Sequence, residues 1–229
     1  MVERGTVHQG TVHPSGVIPQ GLVDKVVARR GGRLHMYDGL DGPRTALVVV
    51  DMDEDSCERA ERDGDLYGPV NAVGAAVRAA GGVVTFVTSA VPSAETLAAG
   101  LGDELAASYA AATASGAAGR LAAGLDVRPG DLRAVKARAS AFFPGNCDLP
   151  DRLRERGVRD VLVAGLATNI CCESTARDAC ELGYRVTMVS DALVGNAWGL
   201  HEASLSTFFR IFGDVRPSRE VIAMLRGAS

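Results

Sequence analysis

The sequence alternates between short, continuous apolar runs and longer segments with apolar residues at helical spacing. Runs such as TALVVVD at 45–51 and GVVTFVTS at 82–89 lack the apolar–polar alternation of a half-exposed strand, and this is typical of parallel strands covered on both faces. Strands that alternate with helices favour a sheet with helices packed on both sides. The pattern therefore predicts a three-layer, Rossmann-like α/β sandwich with a mostly parallel sheet of about six strands.

The same patterns locate the remaining elements. Residues 1–20 are polar and interrupted by glycine and proline, so we expect a disordered arm there, and a connecting loop at 31–44. The chain then divides into an N-terminal arm and linker at 1–43 and one domain at 44–229. Further strands are predicted at 132–136, 160–165, 185–192 and near Val215, helices at 21–30, 68–80, 93–112, 149–157, 171–183 and 201–213, and a helix broken by loops at 113–131.

Composition excludes several classes of function. The net charge is −4 with no dominant basic patch, so nucleic acid is not an expected partner. No apolar run approaches the roughly 18 residues of a membrane span. The first residues lack the apolar core of a secretory signal, so a cytoplasmic location is expected. Glycine-rich nucleotide-binding motifs are absent. Five cysteines without a CxxC pair and four histidines without HxH or HExxH spacing predict neither a disulfide framework nor a metal site.

The residues that end each strand are the first candidates for chemistry, because open parallel sheets bind ligands beyond the carboxyl ends of their strands. Three of them are an acid, a base and a thiol: Asp51, Lys136 and Cys171. Only Lys25 and Lys136 are lysines among 24 basic residues, and a compact ammonium fits between a carboxylate and a thiolate better than a guanidinium does. Each of the three also has a purely structural interpretation. Asp51 can be a turn cap, Lys136 a solvated charge, and Cys171 a small buried side chain.

Cys171 lies where the loop after the fourth strand becomes a helix. Free N–H groups at a helix start stabilise negative charge, so we expect the helix and the Lys136 ammonium to lower the thiol pKa. A carboxylate such as Asp51 is suited to accept the thiol proton. The tight Gly-Leu-Ala-Thr-Asn segment at 165–169 offers N–H groups that are suited to bind the oxyanion of a tetrahedral intermediate.

Four segments carry a family resemblance: VVVDMD at 48–53, VKARASAF at 135–142, GLATNICCESTARDACELGYRV at 165–186 and SDA at 190–192. Over residues 44–222 the chain resembles the isochorismatase-like cysteine hydrolases, in particular the branch that cleaves amide and carbamoyl groups, such as N-carbamoylsarcosine and ureidoacrylate amidohydrolases. The resemblance implies a nucleophile at Cys171, an acid at Asp51 and a lysine at Lys136. It also implies a cis peptide bond between Leu166 and Ala167, an oxyanion hole of the Ala167 and Cys171 N–H groups, and a homotetramer, with a dimer as the alternative.

Two adjacent cysteines compete for the nucleophile's position. Cys172 is about 100° around the helix from Cys171 and shares a stripe with Ala176 and Ala179, which predicts packing. Cys180 is likewise expected in the core. Cys57 and Cys147 fall in predicted loops near strand ends and have only weak support as reactive groups. Cys171 is therefore the predicted nucleophile.

Pocket residues are predicted less directly. The family often has Gln where Asp53 stands, so the pocket wall is expected to be acidic. Arg138 is suited to hold a substrate carboxylate, Asn169 to orient the loop or contact the acid, and Phe142 and Trp198 to wall the pocket. The leading hypothesis is a cofactor-free, metal-free hydrolase that cleaves a C–N bond of a small amide or ureido substrate. The alternatives are an amidohydrolase for a larger or cationic substrate, and a catalytically silent binding homologue.

Overall fold

The computed structural model describes residues 12–60, 65–90, 107, 119–195 and 199–227. Six strands form one parallel sheet in the order β3-β2-β1-β4-β5-β6. This confirms the predicted α/β class. The strands are β1 (Thr45–Val50), β2 (Val83–Ser89), β3 (Leu132–Lys136), β4 (Asp160–Leu166), β5 (Arg185–Val194) and β6 (Asp214–Arg216).

Seven α-helices occur within the described residues. A 3₁₀ turn at Gly42–Arg44 precedes β1, and a π-helical turn at Thr168–Cys172 follows β4. The helices are α1 (Gln20–Arg29), α2 (Glu54–Arg59), α3 (Gly68–Ala79), α4 (Leu149–Glu155), α5 (Glu173–Glu181), α6 (Leu200–Ile211) and α7 (Ser218–Gly227).

The central strand β1 shows why its apolar run is continuous. Alternate β1 side chains face two separate apolar cores, so every position from Thr45 to Val50 is buried. Helices α1, α4, α5 and α6 contribute to the core on the face of Val48, and helices α3 and α7 to the core on the face of Leu47. The sheet is therefore covered on both faces, as the sequence predicts.

The strand order reverses beside β1, which lies between β2 and β4. Such a reversal opens a crevice at the carboxyl ends of the strands. Gly165 permits the close approach of β4 to β1, because its φ is 115° and a Cβ there would lie 2.1 Å from the Val50 carbonyl oxygen. The ends of β1 and β4 are thereby held together, next to the segments that carry Asp51 and Cys171.

Some elements differ from the sequence-based expectation. The short helix α2, the terminal helix α7 and the 3₁₀ turn were not predicted. The disordered arm is wrong for its described part, because His13 is 2% exposed and Ile18 joins the core. The helix predicted at 93–112 lies outside the described residues apart from Ala107. In the part of the chain that the structure describes, no helix is both long enough and apolar enough to cross a bilayer.

Candidate active site

Asp51 follows β1 directly and adopts a left-handed backbone conformation with φ of 51°. Few side chains other than glycine tolerate this region, and aspartate is one of them. The Asp51 N–H donates to the Val87 carbonyl 2.8 Å away, which ties the turn to β2. Unusual backbone conformations of this kind concentrate at functional sites. The carboxylate is largely buried, with 7% of the residue exposed.

Lys136 ends β3, and the strand register sets it opposite Ser89 at the end of β2. Only 1% of Lys136 is exposed, so its ammonium depends on protein partners. Its Nζ lies 2.8 Å from Asp51 Oδ2, 2.7 Å from Ser89 Oγ and 3.5 Å from Cys171 Sγ. Burial lowers the pKa of Lys136, but Asp51 and Cys171 outweigh it and the pKa is raised above 10.5. The ammonium therefore stays charged at neutral pH.

Cys171 lies in the π-helical turn between β4 and α5, and it is partly exposed. Its Sγ lies 3.5 Å from the Lys136 ammonium, and the thiol interacts electrostatically with the Asp51 carboxylate. π-Helical turns are rare and are frequent at functional sites. The structure thus brings together the acid, the lysine and the thiol that the sequence singles out.

The protonation state of Cys171 differs from the expectation. Burial, and next the Asp51 carboxylate, raise the pKa of the thiol to about 12, although Lys136 acts in the opposite direction. The expected lowering of the thiol pKa is wrong. The helix start and the lysine do favour the thiolate, but desolvation of the thiolate opposes them and is the larger effect. At neutral pH the resting group is a thiol, and a nucleophile forms only when the proton moves to a nearby base.

The neighbouring cysteine plays a structural part. Cys172 is fully buried, as are Ala176 and Ala179 on the same helical stripe. Its Sγ lies 3.9 Å from the Ala164 carbonyl oxygen, and burial raises its pKa well above 9. The packing prediction for Cys172 is confirmed. Cys180 is partly buried and packs against the core.

The segment between β4 and Cys171 is held by backbone and side-chain contacts. The structure has a cis peptide bond between Leu166 and Ala167. The Ala167 carbonyl accepts from the N–H groups of Ile170 at 3.0 Å and Cys172 at 3.2 Å. The Thr168 hydroxyl lies 2.8 Å from Nδ1 of His201 in α6. Helix α6 therefore supports the segment that presents the thiol.

Asp53, a predicted pocket residue, begins helix α2 as its N-cap. Its carboxylate accepts a hydrogen bond from the Ser56 N–H at 2.8 Å, which satisfies a free donor of the helix start. The residue is 7% exposed. Burial raises its pKa, and Asp51 contributes in the same direction. The Asp53 carboxylate therefore interacts electrostatically with Asp51, whereas its hydrogen bond caps helix α2.

The other predicted pocket residues lie in different environments. Arg138 is exposed, and its guanidinium stacks over an exposed phenylalanine ring. Phe142 is 0% exposed and packs edge-to-face against Tyr184, so it presents no surface to a ligand here. Asn169 is partly buried and lies in the π-helical turn that carries Cys171. Trp198 lies outside the described residues.

One contact of the site was missed by the sequence-based reasoning. Ser89 Oγ donates to Asp51 Oδ1 at 2.9 Å and accepts from Lys136 at 2.7 Å. The available signal was its position as the last residue of β2, at the same edge as the other two. The hydroxyl contact itself depends on the strand register, which the sequence does not specify.

The chain is similar to known proteins in both sequence and fold. A family model described as the isochorismatase domain matches residues 45–220. The isochorismatase family protein YwoC of Bacillus subtilis is 28% identical over 195 residues, with 82% of this chain and 97% of YwoC covered. Ureidoacrylate amidohydrolase RutB of Variovorax paradoxus is 41% identical over 95 residues, which are 41% of this chain and 36% of RutB. A cysteine hydrolase structure from Pseudomonas syringae pv. phaseolicola superposes with a TM-score of 0.73 at 26% identity, covering 85% of this chain and 98% of that one.

Proposed function

The chain belongs to the isochorismatase family, and we propose that this cysteine hydrolase cleaves a C–N bond of a small molecule that carries an amide, carbamoyl or ureido group. One observation carries the proposal: a fully buried lysine contacts both the carboxylate of Asp51 and the thiol of Cys171. An acid and a thiol that share one ammonium suit acyl transfer through a cysteine, which needs a nucleophile with a proton acceptor beside it.

The first half of the reaction forms a thioester. Asp51 takes the thiol proton, and the Cys171 sulfur forms a bond to the substrate carbonyl carbon. The N–H groups of Ala167 and Cys171 bind the resulting oxyanion, and each such donor is typically worth about 3–4 kcal/mol. The C–N bond then breaks, and Asp51 gives its proton to the leaving nitrogen.

The second half of the reaction hydrolyses the thioester and releases the acid product. Asp51 accepts a proton from a water molecule as the water oxygen attacks the thioester carbonyl, and the same N–H groups hold the second oxyanion. The C–S bond breaks, the thiolate takes the proton back, and the thiol is restored. Lys136 remains charged throughout and pairs with whichever of Asp51 and Cys171 is negative.

The substrate class rests on likeness as well as geometry. RutB, named for ureidoacrylate hydrolysis, is similar over a segment of 95 residues. Such a partial match supports C–N cleavage as a class and does not select one compound. We further propose a cytoplasmic enzyme that works as a homotetramer or dimer, without a cofactor in any step.

The test combines turnover with detection of the covalent intermediate. The protein is incubated with a panel of small amides, carbamoyl amino acids and ureido acids, and released ammonia and amine are measured. We expect turnover on part of the panel and an acyl adduct on Cys171 by peptide mass spectrometry. Cys171→Ser should lose both signals, whereas Cys172→Ser, the matched control, should keep them. Undiminished turnover in the Cys171 variant would refute the proposal.

Two alternatives are separated by the same assays. A preference for a larger or cationic amide is favoured by the buried acid at Asp53, and it would appear as selective turnover of amine-bearing substrates that Asp53→Asn reduces. A silent binding homologue would show no turnover on any panel member and no substrate-dependent adduct at Cys171.

A further inference from the structure

Ser89 stands between the two charged members of the site. It is the last residue of β2, and the register sets it opposite Lys136. Its hydroxyl accepts a hydrogen bond from Lys136 Nζ at 2.7 Å and donates its own proton to Asp51 Oδ1 at 2.9 Å. A single hydroxyl therefore links the carboxylate to the ammonium by a second route, beside their direct contact at 2.8 Å.

The contacts of Lys136 match the donors of an ammonium. A lysine ammonium has three N–H donors. Its three partners here are Asp51 Oδ2, Ser89 Oγ and Cys171 Sγ. With 1% of the residue exposed, water does not replace a lost partner without rearrangement. Ser89 thus accounts for one of the three donors of a buried charge.

The contacts of Asp51 are divided in a similar way. Oδ2 pairs with Lys136, and Oδ1 accepts from Ser89. A carboxylate held at both oxygens has a fixed orientation, and catalytic groups work when they are held close to the productive geometry. The hydroxyl therefore constrains the acid as well as the ammonium.

We propose that Ser89 is a positioning residue of the hydrolase reaction, holding Asp51 and Lys136 in the orientation in which Asp51 exchanges a proton with Cys171. The inference rests on the proposed function. The backbone around the site is fixed independently of the hydroxyl: Asp51 N–H donates to Val87 at 2.8 Å, and Ala90 N–H donates to the Lys136 carbonyl at 2.7 Å. Loss of the hydroxyl should therefore change the orientation of the Asp51 and Lys136 side chains, while the strands stay in register.

The test uses an isosteric pair. Ser89→Thr keeps the hydroxyl and Ser89→Val replaces it with a methyl group of the same shape, and β-branched residues are favourable in strands. We expect Ser89→Val, and likewise Ser89→Ala, to lower kcat about tenfold or more with little change in KM, because both hydrogen bonds of the hydroxyl to charged groups are lost. Ser89→Thr should restore activity to within about threefold of the parent protein.

The pH profile provides a readout that a merely structural role would not move. The titratable groups that interact with Lys136 are Asp51 and Cys171, and less strongly Cys147 and Cys172. Removing an acceptor makes the buried ammonium easier to deprotonate, so the alkaline limb of kcat should move to lower pH by about one unit in Ser89→Val. Ser89→Thr should keep the parent limb.

A substrate-independent measurement separates this inference from the proposed function. The rate of Cys171 alkylation by iodoacetamide, resolved by peptide mass spectrometry, should fall about tenfold in Ser89→Val and not in Ser89→Thr. Ser218→Ala, which removes a hydroxyl bonded to the Asp191 carboxylate, is the control and should match the parent protein. Equal behaviour of the Thr and Val variants, or an unmoved alkaline limb, would overturn the role of Ser89. Full turnover in Cys171→Ser would instead overturn the proposed function.

Discussion

Replacing Asp51 by Asn isolates the cost of leaving Lys136 without its carboxylate. At the observed 2.8 Å, the Coulomb attraction between the two charges is about 6 kcal/mol with an effective dielectric constant of about 20. Asparagine keeps a carbonyl oxygen that still accepts a hydrogen bond, so part of this attraction survives. Breaking a buried pair on one side costs about 3–5 kcal/mol in the free energy of unfolding. For a chain of this length, the melting temperature should fall on the order of 10 °C.

The dependence of this loss on pH follows from the sign of the Lys136 shift. In the parent protein the pKa of Lys136 is raised above 10.5, so its stabilising contribution is present below that value and is lost as the pH rises through the folded pKa. Without the carboxylate, burial dominates and lowers the pKa. The variant then gains stability as the pH rises toward 10.5, because unfolding takes up a proton. The difference between the two proteins should therefore narrow at alkaline pH.

Urea unfolding followed by far-UV circular dichroism across this pH range measures the effect. The double variant Asp51→Asn with Lys136→Met removes both charges, and we expect it to recover most of the lost stability. Asp151→Asn breaks the exposed pair of Asp151 and Arg154 and should change stability by less than about 1 kcal/mol. A loss that does not vary with pH, or a double variant no more stable than Asp51→Asn alone, would contradict the electrostatic reasoning.

Three further predictions follow from single features of the structure. Gly165→Ala should lower the free energy of unfolding in urea by more than about 3 kcal/mol, because the Cβ would lie 2.1 Å from a backbone oxygen of β1. The control Gly157→Ala, at a φ of 65° with open space around it, should lower it by about 1 kcal/mol. Equal losses in the two variants would argue against the clash. Alkylation of Cys171 in the unliganded protein should accelerate steadily into the alkaline range, because its pKa is raised to about 12, and a plateau near neutral pH would contradict this. Burial lowers the pKa of His13 to about 4 and of His35 to about 3, so the free energy of unfolding should fall as the pH drops below 6.5. Replacing both histidines by Gln should flatten that decline in a plot of the free energy of unfolding against pH.

The sheet was predictable because its signal is local and repeated. The continuous apolar run of β1 reflects burial on two faces, and its bounds agree with the structure to within a residue. Helix α2 was missed because its six residues are too few to show an apolar stripe, and none of them is buried. Helix α7 was also missed. Its buried residues are Val221 and Leu225, four positions apart, and its place in the fold depends on the core that it shares with α3.

The candidate site was predictable to the level of strand ends and no further. Lys136 ends a strand, Asp51 and Cys171 lie in segments that follow one, and parallel strands bring such ends to one edge. The choice of Cys171 over Cys172 followed from the helical stripe, which is a local property, together with the family resemblance. The thiol pKa and the Ser89 contacts depend on burial and register, which arise only when distant segments pack. Phe142 illustrates the same limit, because an aromatic residue near a motif can equally belong to the core.

The proposed reaction uses a thiol with a raised pKa as its nucleophile, and the buried setting explains how this can work. Burial opposes an isolated thiolate, but transfer of the Cys171 proton to Asp51 leaves the net charge of the three groups unchanged. Lys136 lies within reach of both negative sites, at 2.8 Å from Asp51 and 3.5 Å from Cys171, so its ammonium pairs with the charge before and after the transfer. In the proposed reaction the thiolate therefore forms during turnover and is scarce at rest, and a resting thiol is the form least prone to oxidation. In the proposed reaction the buried lysine does not create a standing thiolate; its ammonium pairs with Asp51 before the proton transfer and with Cys171 after it.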